Sequence, residues 1–268
     1  SPSAWALDSI RIGVTPVFLA DQAAFLARWR AYLSERTGLP VEFVARDSYQ
    51  SILNLLLSMR LDAAWLCGYP YIRFEQVLDL LAVPLYRGEP TYQAYLIRSK
   101  KTGSSIGRWS DLRGRVLAYS DPMSNSGWLV AQAQLSRAGL TSADLRRTFF
   151  SHGHRNTTEA VAAGLADAGA VDGYVWETML EQGMAAARAT EVVWRSEAFG
   201  FPPLVTRKRE PHPLTPLLRQ ALLGMSGDDA GRRLLKSLNL SGFMLGRPDL
   251  FEGIRSLARE VTDGAQGG

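Results

Sequence analysis

Short apolar runs alternate with longer amphipathic stretches along most of this chain. Runs rich in Val, Ile and Ala are typical of buried strands, and apolar residues at intervals of three and four predict helices. The first part of the chain is predicted to hold strands at Ile10–Val14, Val41–Ala45, Asp62–Leu66, Leu80–Val83 and Tyr92–Arg98, and helices at Gln22–Thr37, Tyr49–Arg60 and Tyr71–Leu78. The alternation indicates an α/β fold with a mainly parallel sheet.

A second alternation follows a polar segment at residues 99–107, whose composition is that of a linker. Its predicted strands are Val116–Tyr119, Thr148–Phe150, Ala168–Val171 and Val192–Ser196, and its predicted helices are Trp128–Ala138, Thr157–Ala166 and Trp176–Gln182. We therefore expect two lobes, one formed by residues 7–98 and 204–268 and the other by residues 99–203. Ligands of such sheets bind at the carboxyl ends of strands, so we expect a ligand cleft between the lobes and hinge closure around the ligand.

The segment from Asp121 to Val130 carries the most specific chemistry. It joins the predicted strand Val116–Tyr119 to a predicted helix, and it contains Asp-Pro followed by Ser-Asn-Ser-Gly at residues 124–127. The N–H groups and the positive dipole at a helix start favour an anion there without any basic side chain. The same letters also fit a serine that only caps a helix. The segment therefore predicts either an oxyanion site or an ordinary helix cap.

Composition narrows the class of protein. The 268 residues are 46 % hydrophobic and 21 % charged, which suits a globular protein of one large domain or two lobes. The net charge of +4 is small and its basic residues are scattered, which argues against nucleic-acid binding. No apolar stretch approaches the roughly 20 residues that span a bilayer. Cys67 is the only cysteine, so no internal disulfide can form.

Several short motifs occur in a characteristic order. The most specific is Asp-Pro-x-Ser-x-Ser-Gly, at residues 121–127. The supporting motifs are Asp62-Ala63-Ala64-Trp65, Ala82-Val83-Pro84, Pro90-Thr91-Tyr92-Gln93-Ala94-Tyr95, Gly153-His154, Ala170-Val171-Asp172 with Trp176-Glu177, and Phe201-Pro202-Pro203. Over residues 10–207 the chain resembles the PhnD-like family of periplasmic solute-binding proteins, which serve phosphonate, phosphite and phosphate uptake.

The resemblance implies a two-lobed, type-II periplasmic binding protein. The residues that it assigns to grip the oxyanion are Ser124, Asn125, Ser126 and Gly127. Those that it places along the ligand cleft are Tyr49, Tyr92, His154 and Asp172. The family often has Gly-His-Asp where this chain has Gly153-His154-Arg155, and the missing carboxylate weakens the case for an amino-phosphonate.

A second departure concerns Cys67 and Tyr69, which we also expect among the ligand-binding residues. Phosphonate binders of the family more commonly have Gly-Pro where this chain has Cys-Gly-Tyr-Pro-Tyr at residues 67–71. The thiol either fills a small buried space or binds a thiophilic solute, as a cysteine does in the AioX-type arsenite sensors of the same family. Sulfur beside hydroxyl and amide donors would suit trivalent arsenic. A nucleophilic dyad of Cys67 and His154 is a third, remote alternative.

The resemblance leads us to expect a binding protein rather than an enzyme, without a cofactor, that captures a small oxyanion by lobe closure. The favoured hypothesis is an arsenite sensor that uses Cys67 as the metalloid ligand and signals to a membrane histidine kinase. The alternative is the phosphate-, phosphite- or phosphonate-binding component of an ABC transporter, with a permease as partner; a thiol hydrolase is the remote alternative. Residues 1–6 lack a Met, which fits a periplasmic protein whose signal peptide has been removed.

Overall fold

The computed structural model describes residues 8–266, which contain two β-sheets and ten α-helices. The strands are β1 (Ile10–Val14), β2 (Val41–Ala45), β3 (Ala63–Trp65), β4 (Leu78–Leu85), β5 (Thr91–Ser99), β6 (Val116–Tyr119), β7 (Arg147–Phe150), β8 (Ala168–Asp172), β9 (Thr190–Gly200), β10 (Leu204–Arg207) and β11 (Gly242–Met244). The helices are α1 (Gln22–Thr37), α2 (Tyr49–Leu57), α3 (Gly68–Arg73), α4 (Val130–Arg137), α5 (His154–Ala162), α6 (Gly173–Glu181), α7 (Ala185–Arg188), α8 (Thr215–Leu223), α9 (Asp229–Ser237) and α10 (Glu252–Gln266). Within residues 8–266, no helix is both long and apolar enough to cross a membrane.

The chain divides into two compact units. The first comprises the described residues up to Thr91 together with Gly200–Leu250, and the second comprises Tyr92–Phe199 together with the residues from Phe251 onward. These boundaries differ from those expected from the sequence, which were 98/99 and 203/204. The expected lobe ends at residues 7 and 268 lie outside the described residues. The same is true of residues 1–6, on which the signal-peptide expectation rests.

The sheet of the first unit has six strands in the order β11-β4-β10-β3-β1-β2. Strand β1 pairs in parallel with β2 and β3, whereas β10 is antiparallel to both β3 and β4. Strand β11 is also antiparallel to β4. The expectation of a mainly parallel sheet is therefore wrong for this unit. Strand β10 belongs to the segment that returns after the second unit, and it enters the sheet in the opposite direction.

Helix α1 has the bounds that its sequence predicts, and its ends show why. The Asp21 side chain accepts a backbone N–H of the first turn, and Gly38 ends the helix with a left-handed φ of 77°. Phe25, Trp29 and Leu33 recur at intervals of four and are all buried. The Trp29 ring also stacks on a residue of β2, which fixes the helix against the sheet.

Helix α3 lies earlier than predicted. The expected span was Tyr71–Leu78, but the helix occupies Gly68–Arg73 and β4 begins at Leu78. The apolar run of β4 pairs with β10 and β11, so its first residue belongs to the sheet and not to the helix. As a consequence Cys67 is the residue directly before α3.

The sheet of the second unit has five strands in the order β7-β6-β8-β5-β9. Strand β6 is parallel to β7 and β8, while β5 is antiparallel to β8. Helix α10 packs against α4 in this unit, with Ile254 and Leu257 buried. The guanidinium of Arg137 also forms two hydrogen bonds with the Glu260 carboxylate, at 2.8 and 2.6 Å. These interactions explain why the C-terminal helix groups with the second unit.

Candidate functional site

The turn that follows β6 is built by its own side chains. The carboxylate of Asp121 accepts the Met123 N–H at 2.7 Å, and its carbonyl accepts the Ser124 N–H at 2.9 Å. The Ser120 N–H donates to the Gly127 carbonyl at 3.1 Å, which closes the turn against the strand. Asp121 therefore has a structural role, because both of its acceptors fold the segment that leads into the helix.

The Ser-Asn-Ser-Gly segment is helical, although the sequence predicts it as a loop before a helix. Asn125–Leu129 is one turn of π-helix, in which the Leu129 N–H reaches the Ser124 carbonyl at 3.0 Å, and it continues into α4. The Ser124 hydroxyl accepts the Gly127 N–H at 2.9 Å and so caps this turn. Single π turns inside helices are frequent at functional sites.

Gly127 lies where a side chain would collide with β6. A Cβ atom built there would stand 2.5 Å from the Ser120 Cβ, 2.7 Å from the Ser120 Oγ and 2.9 Å from the Ser124 Oγ. The glycine at this position of the motif therefore allows the helix start to approach the strand end closely. The approach places Ser120 beside the turn, a residue that the sequence motifs did not single out.

Two further side chains of the motif are buried at the start of the π turn. Asn125 is fully buried and donates from Nδ2 to the Tyr92 hydroxyl at 3.0 Å. Ser126 is only 2 % exposed, and its hydroxyl forms no hydrogen bond with any of the residues that the structure describes. The structure thus joins Tyr92 to the motif by a hydrogen bond and leaves the Ser126 hydroxyl without a partner among the described residues.

His154 is the first residue of α5 and lies beside Ser120. Its Nδ1 is 3.0 Å from the Ser120 Oγ and 3.1 Å from the backbone nitrogen of Asp172. Burial lowers the pKa of His154 from 6.5 to about 4, because desolvation disfavours the charged ring. The imidazole is therefore neutral at pH 7, and it offers hydrogen bonds rather than charge.

Asp172 ends β8 and caps α6. Its carboxylate accepts the Val175 N–H at 3.1 Å, and the side chain is 3 % exposed. Burial raises the pKa of Asp172 from 3.8 to about 7, although backbone N–H groups of the helix start act in the opposite direction. The predicted site residues of the second unit therefore include one carboxyl group that titrates near neutral pH.

The remaining predicted site residues belong to the first unit. Tyr49 is the first residue of α2, directly after the Ser48 cap. Cys67 is 2 % exposed at the end of the segment that leads into α3. The ring of Tyr69 lies under the Arg73 guanidinium, at 5.5 Å. The site assignment of these residues, and of those in the second unit, stays a prediction.

Arg155 replaces the carboxylate that the family often carries after the histidine. Its guanidinium donates to the Glu159 carboxylate at 2.9 Å, one turn further along α5. Both side chains are exposed by 40 % or more, so the pair lies on the helix surface. In the described part of the chain, no three His, Cys, Asp or Glu side chains are grouped so that they could hold a metal ion.

The two mixed sheets have the fold of two-lobed periplasmic binding proteins. A binding protein component of an ABC phosphonate transporter from Pseudomonas aeruginosa matches with a TM-score of 0.86 at 20 % identity, over 97 % of this chain and 88 % of the other. PhnD1 from Prochlorococcus marinus, in complex with methylphosphonate, matches with a TM-score of 0.83 at 18 % identity, over 95 % and 98 % of the two chains. At these identities the likeness shows the fold alone.

Sequence comparison gives the family. Residues 12–250 match the model of the periplasmic substrate-binding proteins of phosphonate ABC transporters, and the chain belongs to this family. The phosphate-import protein PhnD of Mycolicibacterium smegmatis is 28 % identical over 179 residues, which are 62 % of this chain and 55 % of that protein. The chain thus spans about half the length of this curated relative. The family assignment made from the sequence motifs is confirmed.

Proposed function

We propose that this protein is the substrate-binding component of an ABC importer for a phosphonate- or phosphate-class oxyanion, and not an enzyme. The observation that carries the proposal is the capped π turn after β6, in which Ser126 is 2 % exposed and its hydroxyl has no hydrogen-bond partner among the described residues. Family membership and the relatives named for phosphonate and phosphate support it. A periplasmic location and a permease partner follow from the same family.

The chemistry of the turn suits an anion that is held by neutral donors. Residues 120–127 contain no Lys or Arg, so the attraction has to come from hydroxyl and N–H groups and from the helix dipole. Hydrogen bonds to an ionised oxygen are shorter and roughly twice as strong as neutral ones. Excluding water by lobe closure, which remains a prediction of the sequence, would strengthen them further.

The positions at which this chain departs from the family's usual sequence bear on the choice of substrate. Arg155 pairs with Glu159 on the surface of α5, so this position supplies no carboxylate for a ligand ammonium group. Asp172, the carboxyl in the second unit that the resemblance assigns to the site, already caps a helix. A phosphonate without an amino group, phosphite or phosphate therefore suits the site better than an amino-phosphonate.

The comparisons favour the transporter component over the arsenite sensor. The matched family and the named relatives concern phosphonate and phosphate, and they offer no support for arsenite, a histidine kinase or a metal site. Cys67 is only 2 % exposed within the first unit, which fits a thiol that fills a small buried space. The hydrolase alternative has no support either, because the family consists of substrate-binding proteins.

Calorimetric titration tests the proposal. Methylphosphonate, phosphite, phosphate and arsenite would be titrated into the wild type, Ser126→Ala, Ser136→Ala and Cys67→Ser. Ser136 is the matched control, because it is exposed on α4. We expect a phosphorus oxyanion to bind the wild type, the control variant and Cys67→Ser alike, and to bind Ser126→Ala roughly tenfold or more weakly, as for a lost hydrogen bond to a charged group.

Two results would contradict the proposal. One is that no phosphorus oxyanion binds the wild type. The other is arsenite binding that disappears in Cys67→Ser, which would restore the thiol-based sensor.

A further inference from the structure

The imidazole of His154 is held by the protein through one nitrogen only. Nδ1 is 3.0 Å from the Ser120 Oγ and 3.1 Å from the backbone nitrogen of Asp172. Among residues 8–266, no group forms a hydrogen bond with Nε2 of this ring, and the side chain is only partly buried. Every hydrogen bond that the described residues form with the ring is thus at Nδ1, and Nε2 has no hydrogen-bond partner among them.

The backbone N–H of Asp172 decides which ring nitrogen of His154 carries the proton. A backbone N–H can only donate, so the Nδ1 that it approaches must present its lone pair. A proton on Nδ1 would bring two donors face to face at 3.1 Å. A neutral imidazole has one proton, and that proton is therefore on Nε2.

The neighbouring hydroxyls agree with this assignment. The Ser151 hydroxyl donates to the Gly153 carbonyl at 2.9 Å, so the Thr157 hydroxyl, 2.6 Å from it, donates in turn to Ser151. The proton of Ser120 can then go to Nδ1 of His154, to a carbonyl of β8 or to the Thr157 oxygen. Each of these hydroxyls has one proton, and no step in the chain requires a proton on Nδ1.

We infer that Ser120 and the Asp172 N–H hold His154 as the neutral Nε2–H tautomer, so that the ring serves as a fixed hydrogen-bond donor to the captured oxyanion. Ser120 is then a positioning residue, because it acts through the histidine. The ligand part of this inference rests on the proposed function. An Nε2–H group donates but cannot accept, so it favours an unprotonated oxygen, and the site selects the oxygens of a phosphonate or phosphate that carry the negative charge.

The first test uses the wild-type protein without any ligand. Nitrogen-15 NMR of histidine-labelled protein at pH 7 reports which ring nitrogen carries the proton, and the three histidines are assigned by comparison with His154→Gln. We expect Nδ1 of His154 to be unprotonated and Nε2 to be protonated. A proton on Nδ1, or rapid exchange between the two tautomers, would overturn the inference whatever the protein binds.

The second test compares two variants of the ring. A glutamine amide nitrogen reaches the place of Nε2, whereas an asparagine amide reaches only the place of Nδ1. We expect His154→Gln to bind methylphosphonate at least roughly tenfold more tightly than His154→Asn, as for one hydrogen bond to a charged group, while both variants unfold at similar temperatures. Equal affinities would refute the donor role, and failure of the wild type to bind would refute the proposed function while the tautomer result stands.

Ser120→Ala isolates the positioning role. We expect the Nδ1 resonance of His154 to shift as it loses one contact, and the affinity for methylphosphonate to fall about fivefold, within the range for one neutral hydrogen bond. Ser136→Ala, on the exposed face of α4, is the control and should change neither quantity. An unchanged Nδ1 resonance in Ser120→Ala would remove Ser120 from the mechanism.

Discussion

Gly127→Ala is the substitution that most directly tests how the π turn at Asn125–Leu129 is built. The added methyl group would lie 2.5 Å from the Cβ and 2.7 Å from the Oγ of Ser120, and 2.9 Å from the Ser124 Oγ. The first of these atoms belongs to the base of a side chain at the end of β6 and cannot rotate away. The turn itself must therefore move.

The cost follows from the interactions that such a movement breaks. Overpacking by one methyl group in a close-packed region costs about 1–3 kcal/mol. A shift of the turn also weakens the 2.9 Å hydrogen bond from the Gly127 N–H to the Ser124 hydroxyl, which is worth about 1 kcal/mol. We expect a loss of about 2–4 kcal/mol in the free energy of unfolding, and an affinity for methylphosphonate reduced at least roughly tenfold.

Urea unfolding followed by tryptophan fluorescence measures the first quantity, and calorimetry measures the second. Gly264→Ala is the matched control, because Gly264 lies in helix α10 of the same unit and nothing approaches its Cβ position within 4 Å. Alanine favours a helix over glycine, so this variant should be as stable as the wild type or slightly more so. The prediction is wrong if Gly127→Ala unfolds at the same urea concentration as Gly264→Ala and binds methylphosphonate as tightly as that control does.

Two further predictions concern stability alone. Asp172 has a folded-state pKa raised from 3.8 to about 7 by burial, so between about pH 4 and pH 7 the native state holds a proton that the unfolded chain has lost. This contribution to the free energy of unfolding is complete below about pH 4 and declines as the pH rises to about 7. Asp172→Asn keeps a helix cap, so it should flatten that part of the pH profile of urea unfolding. An unchanged slope in this variant would disprove the raised pKa of Asp172. For Glu260→Gln we expect a loss of no more than about 1 kcal/mol, because both members of the Arg137 pair are more than 40 % exposed. The loss should shrink in about 1 M salt, and a loss that salt does not change would show that packing of α10, not charge, is responsible.

The sequence pattern predicts the regular elements well where each one obeys a local rule. Strands β1, β2 and β6 and helix α1 have the predicted bounds, because apolar period, caps and glycine ends are all local signals. The fold class is confirmed by the likeness to two-lobed binding proteins. The direction of β10 and the packing of α10 could not be predicted, since both depend on segments distant in sequence. The predicted start of helix α3 is too late, because Gly68 and Pro70, which usually mark a turn, lie in its first turn.

In the candidate site, too, features that depend on contacts between distant segments could not be predicted from the sequence. The motif at residues 121–127 could be found from its letters, and the structure places it after β6 as expected. Ser120 was missed although it directly follows the strand, because its importance comes from its contacts with His154 and Thr157. The π turn was also missed, since no residue type in Asn-Ser-Gly-Trp-Leu favours an i+5 hydrogen bond over the usual one.

The two serines of the motif differ in their contacts, and this difference bears on whether the segment is a helix cap or an oxyanion site. A hydroxyl that caps a helix is committed to a backbone N–H, as Ser124 is to Gly127 at 2.9 Å, and is then a weaker candidate for a ligand. Ser126 lies two residues later, in the first turn, where its hydroxyl has no such backbone partner among the described residues. A helix cap at Ser124 is therefore compatible with the proposed oxyanion site at Ser126. The cap at Ser124 fixes the turn. In the proposed site, Ser126 and the N–H groups beside it would donate hydrogen bonds from this turn to an anion, without a basic side chain.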